Sequence, residues 1–460
     1  MSACDIPLRA GEGADTGQAR LRRSDRKALR TALAEAPSHG FAPGAFGEQR
    51  IDELSGPEAD AGLRAAILAY AGAMRGHALT GDQRRKDWAM RPAPFDAEAE
   101  FRAAVQERRV DAWLQGLAPQ APEYEALRVA YGDYLKIAQS GGWPSVPAGA
   151  SFRAGAGGPH VRALRERLAA EGDLAWSEPD APFDPALGQA VLAFQARHGL
   201  RATGAVDAET LKALNVSPAA RAAQIRANLE RWRWAPREPS PDRVEVNAAA
   251  GLMVLHQNGQ ASMRMLAAAG KPGDETPILV SDIDHVVLNP PWNVPDSIAE
   301  AELLPKEAQN PGYLAREGFI LDPPGLGLRL QQKPGPKNAL GRVKFQFDNP
   351  FAVYLHDTPA KAAFSRPQRT VSHGCVRLER AVDLAKVVLE AHAGWTPGRV
   401  DEALAQGDTR NVALERPLQV LLMYWTAFPT TGGQVAFRPD VYGWDEAVLR
   451  RLDAKTPSPA

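Results

Sequence analysis

The sequence lacks several features that would each have pointed to a class of protein. Its 460 residues include only two cysteines, Cys4 and Cys375, which excludes a disulfide-rich scaffold. Its 54 lysines and arginines are balanced by 55 acidic residues, so it has no basic excess for binding nucleic acid, and no such partner is predicted. No apolar run approaches the roughly 18 residues of a membrane-spanning helix.

Metal and phosphate motifs are also missing. There is no His-Glu-x-x-His helix and no Gly-x-x-x-x-Gly-Lys-Ser/Thr loop, and the nine histidines are scattered without ligand spacing. We therefore predict neither a metal nor a cofactor.

The first residues suggest two opposite locations. Residues 1–19 are predicted to be a flexible tail without the apolar segment of a secretory signal, which taken alone indicates the cytoplasm. Ser2-Ala3-Cys4-Asp5, however, resembles the end of a bacterial lipoprotein signal, in which the cysteine becomes the lipidated first residue. Cys4 is therefore either an incidental cysteine or a lipid anchor.

Hydrophobic periodicity divides the rest of the chain into helical and β-rich parts. We predict a multidomain α+β protein, and a monomer, with the following segments: a helical scaffold (20–150), a unit of three short helices (152–216), a linking helix (217–240), a mostly β domain (241–437), and a C-terminal helix and tail (438–460). In the linking helix, Arg231-Trp232-Arg233-Trp234 would either stack on a sugar or wedge two domains together, and the wedge is favoured.

The β-rich domain contains the candidate site. A long, Pro-rich and loop-like insertion at about residues 296–340 is typical of a lid over a site. Phe351–His356 is predicted to be a strand, with Ala352, Tyr354 and His356 on one face. The turn that begins at Asp357 would leave the imidazole at the mouth of a pocket.

Cys375 is the candidate nucleophile. His373, Gly374 and Arg377 surround it with polar and positive groups, which favour the thiolate, whereas an ordinary buried cysteine has apolar neighbours. His356 is the candidate base, since a free thiol is only a few per cent ionised at neutral pH. The backbone N–H groups at the Gly374–Cys375 junction would bind a tetrahedral oxyanion.

Two of these neighbours have more than one interpretation. His373 is either a second functional imidazole or a structural hydrogen-bonding group. Arg377 would clamp a substrate carboxylate or pin the loop, and the loop is favoured.

Two segments resemble known families. Residues 161–215 contain Phe194-Gln195…His198-Gly199-Leu200 followed by Thr203-Gly204, and resemble a three-helix peptidoglycan-binding domain. His356-Asp357-Thr358 followed by Ser372-His373-Gly374-Cys375-Val376-Arg377 resembles the motif of the L,D-transpeptidase (YkuD) family. The stretches around Trp292 and Asn338 resemble its large periplasmic subgroup, in which a helical scaffold, a peptidoglycan-binding module and the catalytic domain follow in this order.

This resemblance implies a cysteine acyltransferase that acts on peptidoglycan stem peptides and glycan in the periplasm, anchored to the inner or outer membrane if Cys4 is lipidated. Cys375 would be the nucleophile, His356 the base and later the acid, and Asp357 would orient the imidazole through its carbonyl. The enzyme would release terminal D-Ala from a tetrapeptide stem and form a 3→3 cross-link through a thioester. The insertion would be the capping subdomain, and carbapenems would acylate Cys375. Substrate-binding residues are predicted at Tyr354, His373, Arg377, Trp292 and Asn338.

Alternative functions use the same residues differently. The acyl-enzyme would pass to water in an L,D-carboxypeptidase, to a free D-amino acid in an exchange reaction, or to a protein lysine. In another class of function, the chain binds peptidoglycan and its catalytic domain is silent. The sequence does not choose among acceptors, because pocket shape and water access decide between them.

Overall fold

The computed structural model describes residues 21–79, 81–148, 152–175, 178–321 and 330–454. The predicted N-terminal tail and Cys4 lie outside these residues. The α+β architecture is confirmed, since helices occupy the chain up to residue 234 and a large sheet follows. Within the described ranges, no helix is both long enough and apolar enough to cross a membrane.

The first helices form the scaffold core. The helices are α1 (Arg23–Glu35), α2 (Glu48–Ile51), α3 (Gly56–Gly72), α4 (Ala97–Gln106), α5 (Val110–Leu117) and α6 (Pro122–Gln139). Leu29, Ile67, Phe101 and Trp113 are buried where α1 to α5 meet. The last helix, α6, packs elsewhere: its Leu127 lies in a separate core shared with the linking helix.

The three-helix unit folds around the apolar positions that its sequence predicts. Its helices are α7 (Pro159–Ala170), α8 (Pro185–Arg197) and α9 (Ala208–Leu214). Asp184 caps α8 by accepting a hydrogen bond from the Leu187 N–H at 2.8 Å, and Asp207 caps α9 through the Thr210 N–H at 2.8 Å. The buried core comprises Val161, Leu164, Leu168, Leu187, Val191, Phe194 and Leu214.

The linking helix α10 (Pro218–Trp234) ends among aromatic rings from distant parts of the chain. Trp234 is fully buried, with its ring 5.3 Å from that of Trp88 in the scaffold. Trp88 in turn contacts Trp444, the first residue of the C-terminal helix, at a ring separation of 6.0 Å. Trp232 stacks on Trp425 at 4.4 Å. These contacts agree with the wedge and leave the Trp234 face closed to a sugar.

The β-rich domain is organised by one large sheet, whose strands, with the bounds given below, follow the order β10-β3-β11-β9-β8-β4-β12-β1-β2. The long strand β3 also pairs with β2, so the pairings close on themselves. The strands of this sheet are β1 (Arg243–Asn247), β2 (Leu252–Gln257), β3 (Gln260–Gly270), β4 (Leu279–Leu288), β8 (Val343–Phe347), β9 (Leu355–His356), β10 (Thr370–Ser372), β11 (Val376–Leu378) and β12 (Arg410–Met423). Helices α14 (Ala381–Glu390) and α15 (Pro397–Gln406) share its apolar core, and β13 (Ala427–Pro429) pairs with β14 (Val435–Phe437) before the C-terminal helix α16 (Trp444–Asp453).

The predicted strand over residues 351–356 is shorter than expected. Only Leu355 and His356 are paired, because Ala352 has a φ of +53°, which a regular strand cannot contain. The side chain of Asn349 supports this turn by accepting hydrogen bonds from the N–H groups of Phe351 and Val353, both at 3.1 Å.

The insertion at 296–340 is not the loop that its proline content suggested. It contains short helices with a buried core of its own, next to the three-stranded sheet β5-β7-β6. The helices are α11 (Asp296–Ile298), α12 (Leu304–Gln309) and α13 (Tyr313–Arg316), and the strands are β5 (Trp292–Asn293), β6 (Phe319–Leu321) and β7 (Leu330–Gln332). We call residues 292–340 the cap.

A buried network of charges joins the three-helix unit to the rest of the molecule. Glu171, with a side chain only 1 % exposed, accepts hydrogen bonds from Arg167 at 2.8 Å, Arg197 at 3.1 Å and Tyr134 at 2.6 Å. Burial alone would raise the pKa of Glu171, but His198, Arg167 and Arg197 hold it well below its usual range. Arg197 also donates to the Val435 carbonyl in β14 at 2.8 Å, so the unit is fixed to the β-rich domain.

We expect Glu171→Gln to destabilise the protein strongly. The substitution keeps the size of the side chain but leaves the buried guanidinium of Arg167 without its carboxylate and that of Arg197 with Asp173 alone. Loss of one partner of a buried ion pair costs about 3–5 kcal/mol. Urea unfolding followed by circular dichroism measures the loss. Glu209→Gln, an exposed position in the same unit, is the matched control and should change the free energy of unfolding little. Equal unfolding midpoints for the two variants would contradict the importance of the network.

Candidate active site

The register of two short parallel strands brings the candidate nucleophile and base together. Leu355 pairs with Val376 and His356 pairs with Arg377, so β9 and β11 run side by side. The Val376 N–H donates to the Tyr354 carbonyl at 3.0 Å, which places the Cys375 backbone beside the end of β9. Cys375 and His356 both line one cavity of about 710 Å³ between the sheet and the cap.

His356 is held as a neutral imidazole of one tautomer. Its side chain is buried, and its Nδ1 lies 2.5 Å from the Asp357 carbonyl oxygen. Because a carbonyl oxygen only accepts, Nδ1 must carry the proton, which leaves the Nε2 lone pair free to accept another. Burial and the positive charge of Arg377 lower the pKa of His356 to about 3. The ring is therefore neutral at neutral pH, with Nε2 unprotonated.

Asp357 has a fixed backbone because its carboxylate is anchored twice. One carboxylate oxygen accepts from the Arg342 N–H at 2.9 Å, and the other from the Lys361 ammonium at 2.7 Å. Gly341 makes this approach possible, since a Cβ at that position would lie 2.4 Å from the carboxylate. The carbonyl that orients His356 is thereby held in place.

The Cys375 thiol is half-buried, with Sγ 4.0 Å from the Ala352 carbonyl oxygen. Burial raises the pKa of the thiol, although hydrogen bonds from Tyr354 and the positive charges of Lys344 and Arg377 act in the opposite direction. The expectation that polar flanking residues favour a resting thiolate is therefore wrong. The cysteine and the histidine are both neutral at rest, and the proton must move when the thiol reacts.

One of the two predicted oxyanion donors already has a hydrogen-bond partner. The Gly374 N–H donates to the Ser372 hydroxyl at 3.2 Å, while the Gly374 carbonyl accepts from the Thr276 hydroxyl at 2.7 Å. The φ of Gly374 is +103°, a conformation that a residue with a Cβ rarely adopts. Because the Gly374 N–H already donates to Ser372, the Cys375 N–H is the better candidate of the two for the oxyanion donor.

Four of the five predicted substrate-binding residues line the cavity: Tyr354, His373, Arg377 and Trp292. His373 contacts the cap, with its Nε2 2.8 Å from the carboxylate of Glu302. Asn338 differs from the other four because it is buried in the base of the cap. Its amide donates to the Lys333 carbonyl at 2.9 Å and accepts from the Leu340 N–H at 2.8 Å, so the geometry gives it a structural role.

The positive groups of the cavity are better suited to a ligand than to holding the loop. Arg377 has a buried Nε without a hydrogen-bond partner among the described residues, so the loop-pinning interpretation finds no support. Lys344, which the sequence analysis missed, lies on β8 opposite His356, with Nζ 4.3 Å from the centre of the Tyr354 ring. Burial lowers the pKa of both side chains. The only available signal for Lys344 was its place on the polar face of the alternating strand Val343–Phe347.

Three family models match the chain. The L,D-transpeptidase catalytic domain (YkuD) matches residues 241–402, the scaffold domain matches 18–130, and a model described as "Putative peptidoglycan binding domain" matches 157–214. A curated protein of Haemophilus influenzae, named "Putative L,D-transpeptidase", is 32 % identical in an alignment of 222 residues, with 45 % of this chain covered. The match covers 45 % of the relative, which is less than half of its length.

Solved structures of L,D-transpeptidases are similar at lower identity. The enzyme of Xylanimonas cellulosilytica is 19 % identical, with 60 % of this chain and 98 % of that chain covered and a TM-score of 0.19. The enzyme of Stackebrandtia nassauensis is 14 % identical, with 61 % and 96 % covered and a TM-score of 0.25. The enzyme of Mycobacterium smegmatis is 15 % identical, with 40 % and 58 % covered and a TM-score of 0.22.

Proposed function

We propose that this chain, which combines a YkuD L,D-transpeptidase catalytic domain with a peptidoglycan-binding domain, cross-links peptidoglycan stem peptides through a thioester on Cys375. The observation that carries the proposal is the shared cavity that is lined both by Cys375 and by His356, a buried imidazole whose Nδ1 is held by the Asp357 carbonyl and whose Nε2 keeps its lone pair. A neutral thiol next to a neutral base is suited to acyl transfer, because the proton leaves sulfur as the bond to carbon forms.

The first half of the reaction makes the acyl-enzyme. His356 Nε2 takes the thiol proton while Sγ attacks the carbonyl at the L-centre of the third residue of a tetrapeptide stem. The Cys375 N–H stabilises the resulting oxyanion. When the tetrahedral intermediate collapses, the C–N bond to terminal D-Ala breaks and the leaving amine takes the proton from His356. Asp357 keeps the imidazole in the required tautomer throughout.

The second half transfers the acyl group to an amine. The side-chain amine at the D-centre of the third residue of another stem attacks the thioester, gives its proton to His356 and releases the thiol, which completes a 3→3 cross-link. The cap, with a core of its own over the cavity, would exclude water from the thioester. Arg377 and Lys344 are proposed to bind carboxylates of the donor stem, because both are cations beside Sγ.

Product analysis tests the acyl acceptor. We expect purified protein incubated with a disaccharide-tetrapeptide to yield a cross-linked dimer and free D-Ala, detected by mass spectrometry. The catalytic alternatives share the same acyl-enzyme, so only the fate of the thioester separates them. A tripeptide product without dimer would indicate a carboxypeptidase, and an exchange product after addition of free D-amino acid would indicate the exchange reaction. Retention on purified cell-wall sacculi without any product would indicate a binding protein.

A peptidoglycan substrate places the chain outside the inner membrane, so we propose a periplasmic location. We also propose a lipid anchor at Cys4, because Ser2-Ala3-Cys4-Asp5 resembles the end of a lipoprotein signal.

A further inference from the structure

The geometry points to Thr276 as a positioning residue that aims the Cys375 N–H at the oxyanion, with Tyr442 from the C-terminal segment holding Thr276 in place. This inference rests on the proposed acyl transfer, and it adds residues that the sequence motif does not contain.

The argument starts from the geometry of one peptide group. The Gly374 carbonyl and the Cys375 N–H belong to the same trans peptide, so they point in opposite directions from a common plane. The Thr276 hydroxyl donates to this carbonyl at 2.7 Å and therefore fixes the direction of the N–H on the other side. Glycine at 374 would otherwise let the peptide plane rotate at low cost.

Thr276 is itself fixed by neighbouring backbone. It is buried, and its hydroxyl oxygen accepts from the Gly270 N–H at 2.8 Å, which directs its proton towards Gly374. This contact depends on the absence of a side chain at Gly270, because a Cβ there would lie 1.9 Å from the Asp274 carbonyl oxygen. A further bond from the Lys271 N–H to the Ser372 carbonyl at 2.9 Å joins the same loop to the catalytic turn.

Tyr442 holds Gly270 and Thr276 in place, although it lies beyond the residues that match the catalytic domain family. Its hydroxyl donates to the Gly270 carbonyl at 2.6 Å and lies 3.4 Å from the Thr276 N–H. The ring stacks on Tyr424 at 4.7 Å and contacts Trp444 at 4.8 Å. The catalytic turn is therefore supported by a segment that follows residue 402, where the match to the catalytic domain ends.

The scaffold supports the same loop from its other end. The Ile278 N–H donates to the Asp87 carbonyl at 2.8 Å, and the Met90 N–H donates to the Ile278 carbonyl at 2.7 Å. Residues 87–90 thus pair with the chain two residues after Thr276. The position of Thr276, and with it the oxyanion site, therefore depends on contacts from both the scaffold and the C-terminal segment.

The Thr276→Val variant tests the orientation of the Cys375 N–H separately from the nucleophilicity of the Cys375 thiol. For this purpose, two reactions of Cys375 are compared in the full-length protein. Acylation by meropenem forms a tetrahedral oxyanion, whereas alkylation by iodoacetamide is a displacement at carbon that forms none. Removal of a whole oxyanion donor typically costs ~100- to 1,000-fold. Misdirecting one should therefore slow acylation ~10- to 100-fold, with the loss in kinact and not in KI. Alkylation and its pH profile should stay the same, and Thr276→Ser should restore most of the acylation rate.

Tyr442→Phe is a second and milder variant. We expect its acylation rate to fall several-fold while its alkylation rate stays at the wild-type value. Each contrary outcome counts against the inference. Acylation of Thr276→Val or Tyr442→Phe at the wild-type rate would overturn it, as would a parallel fall of acylation and alkylation, which indicates a collapsed turn. A wild-type protein that is alkylated but never acylated would overturn the proposed function itself, and this inference with it.

Discussion

Replacing Cys375 with alanine should abolish formation of the adduct between this protein and meropenem. The wild-type protein should gain the mass of one lactam in an intact-mass measurement, because opening of the ring leaves the whole molecule attached as a thioester. Among the described residues that line the cavity, Cys375 carries the only thiol, and the hydroxyl and amine groups that remain without Sγ are much poorer nucleophiles for acyl transfer. We therefore expect a complete loss and not a reduction.

The chain offers a matched control for this experiment. Cys4→Ser removes the other cysteine of the sequence and should leave adduct formation unchanged. Cys375→Ser gives a second comparison, since a hydroxyl of similar size is far harder to deprotonate than a thiol. An adduct of undiminished yield on Cys375→Ala, or a wild-type protein that gains no mass, would remove Cys375 from the mechanism.

The domain family and a candidate reaction centre could be predicted because the residues of each motif are close together in sequence. The family prediction is confirmed by the catalytic and peptidoglycan-binding domain models. Helix α14 and the caps of α8 and α9 followed from local patterns, namely apolar spacing and an aspartate before the first turn. Such features depend on neighbours within a few residues, which a single sequence displays directly.

Features that the sequence pattern does not display, such as an unusual backbone angle, burial and distant contacts, were missed or wrong. The length of β9 is set by the positive φ of Ala352, and the pKa of Cys375 is raised by burial that the flanking residues do not reveal. The strand β12 lies between β4 and β1 in the sheet although it follows the residues matched by the catalytic domain model. Thr276 carries no motif, because its importance comes from the fold that brings it to Gly374.

Replacing His356 with alanine should slow acylation by roughly 100- to 10,000-fold, the usual contribution of a general base. The pH profile identifies the cause. Because the pKa of His356 is lowered to about 3, the imidazole stays neutral as the pH falls from 7 to 5, and wild-type acylation should change little over that range. An ordinary histidine would lose most of its basicity near pH 6.5.

The variant should behave in the opposite way. Without a base, only the small thiolate fraction reacts, and burial raises the thiol pKa further, so the rate should climb about tenfold per pH unit between pH 6 and 8. His285→Ala, a half-exposed position on β4, is the control that should retain the wild-type profile. Folding is best compared at pH 7 to 8. Because the pKa of His356 is lowered on folding, the associated stability is complete above pH 6.5 and is lost as the pH falls towards 3. Unfolding measured in acid would therefore combine this loss with any effect of the substitution on packing. A flat profile in His356→Ala, or a wild-type rate that falls near pH 6.5, would show that another group takes the proton from Cys375.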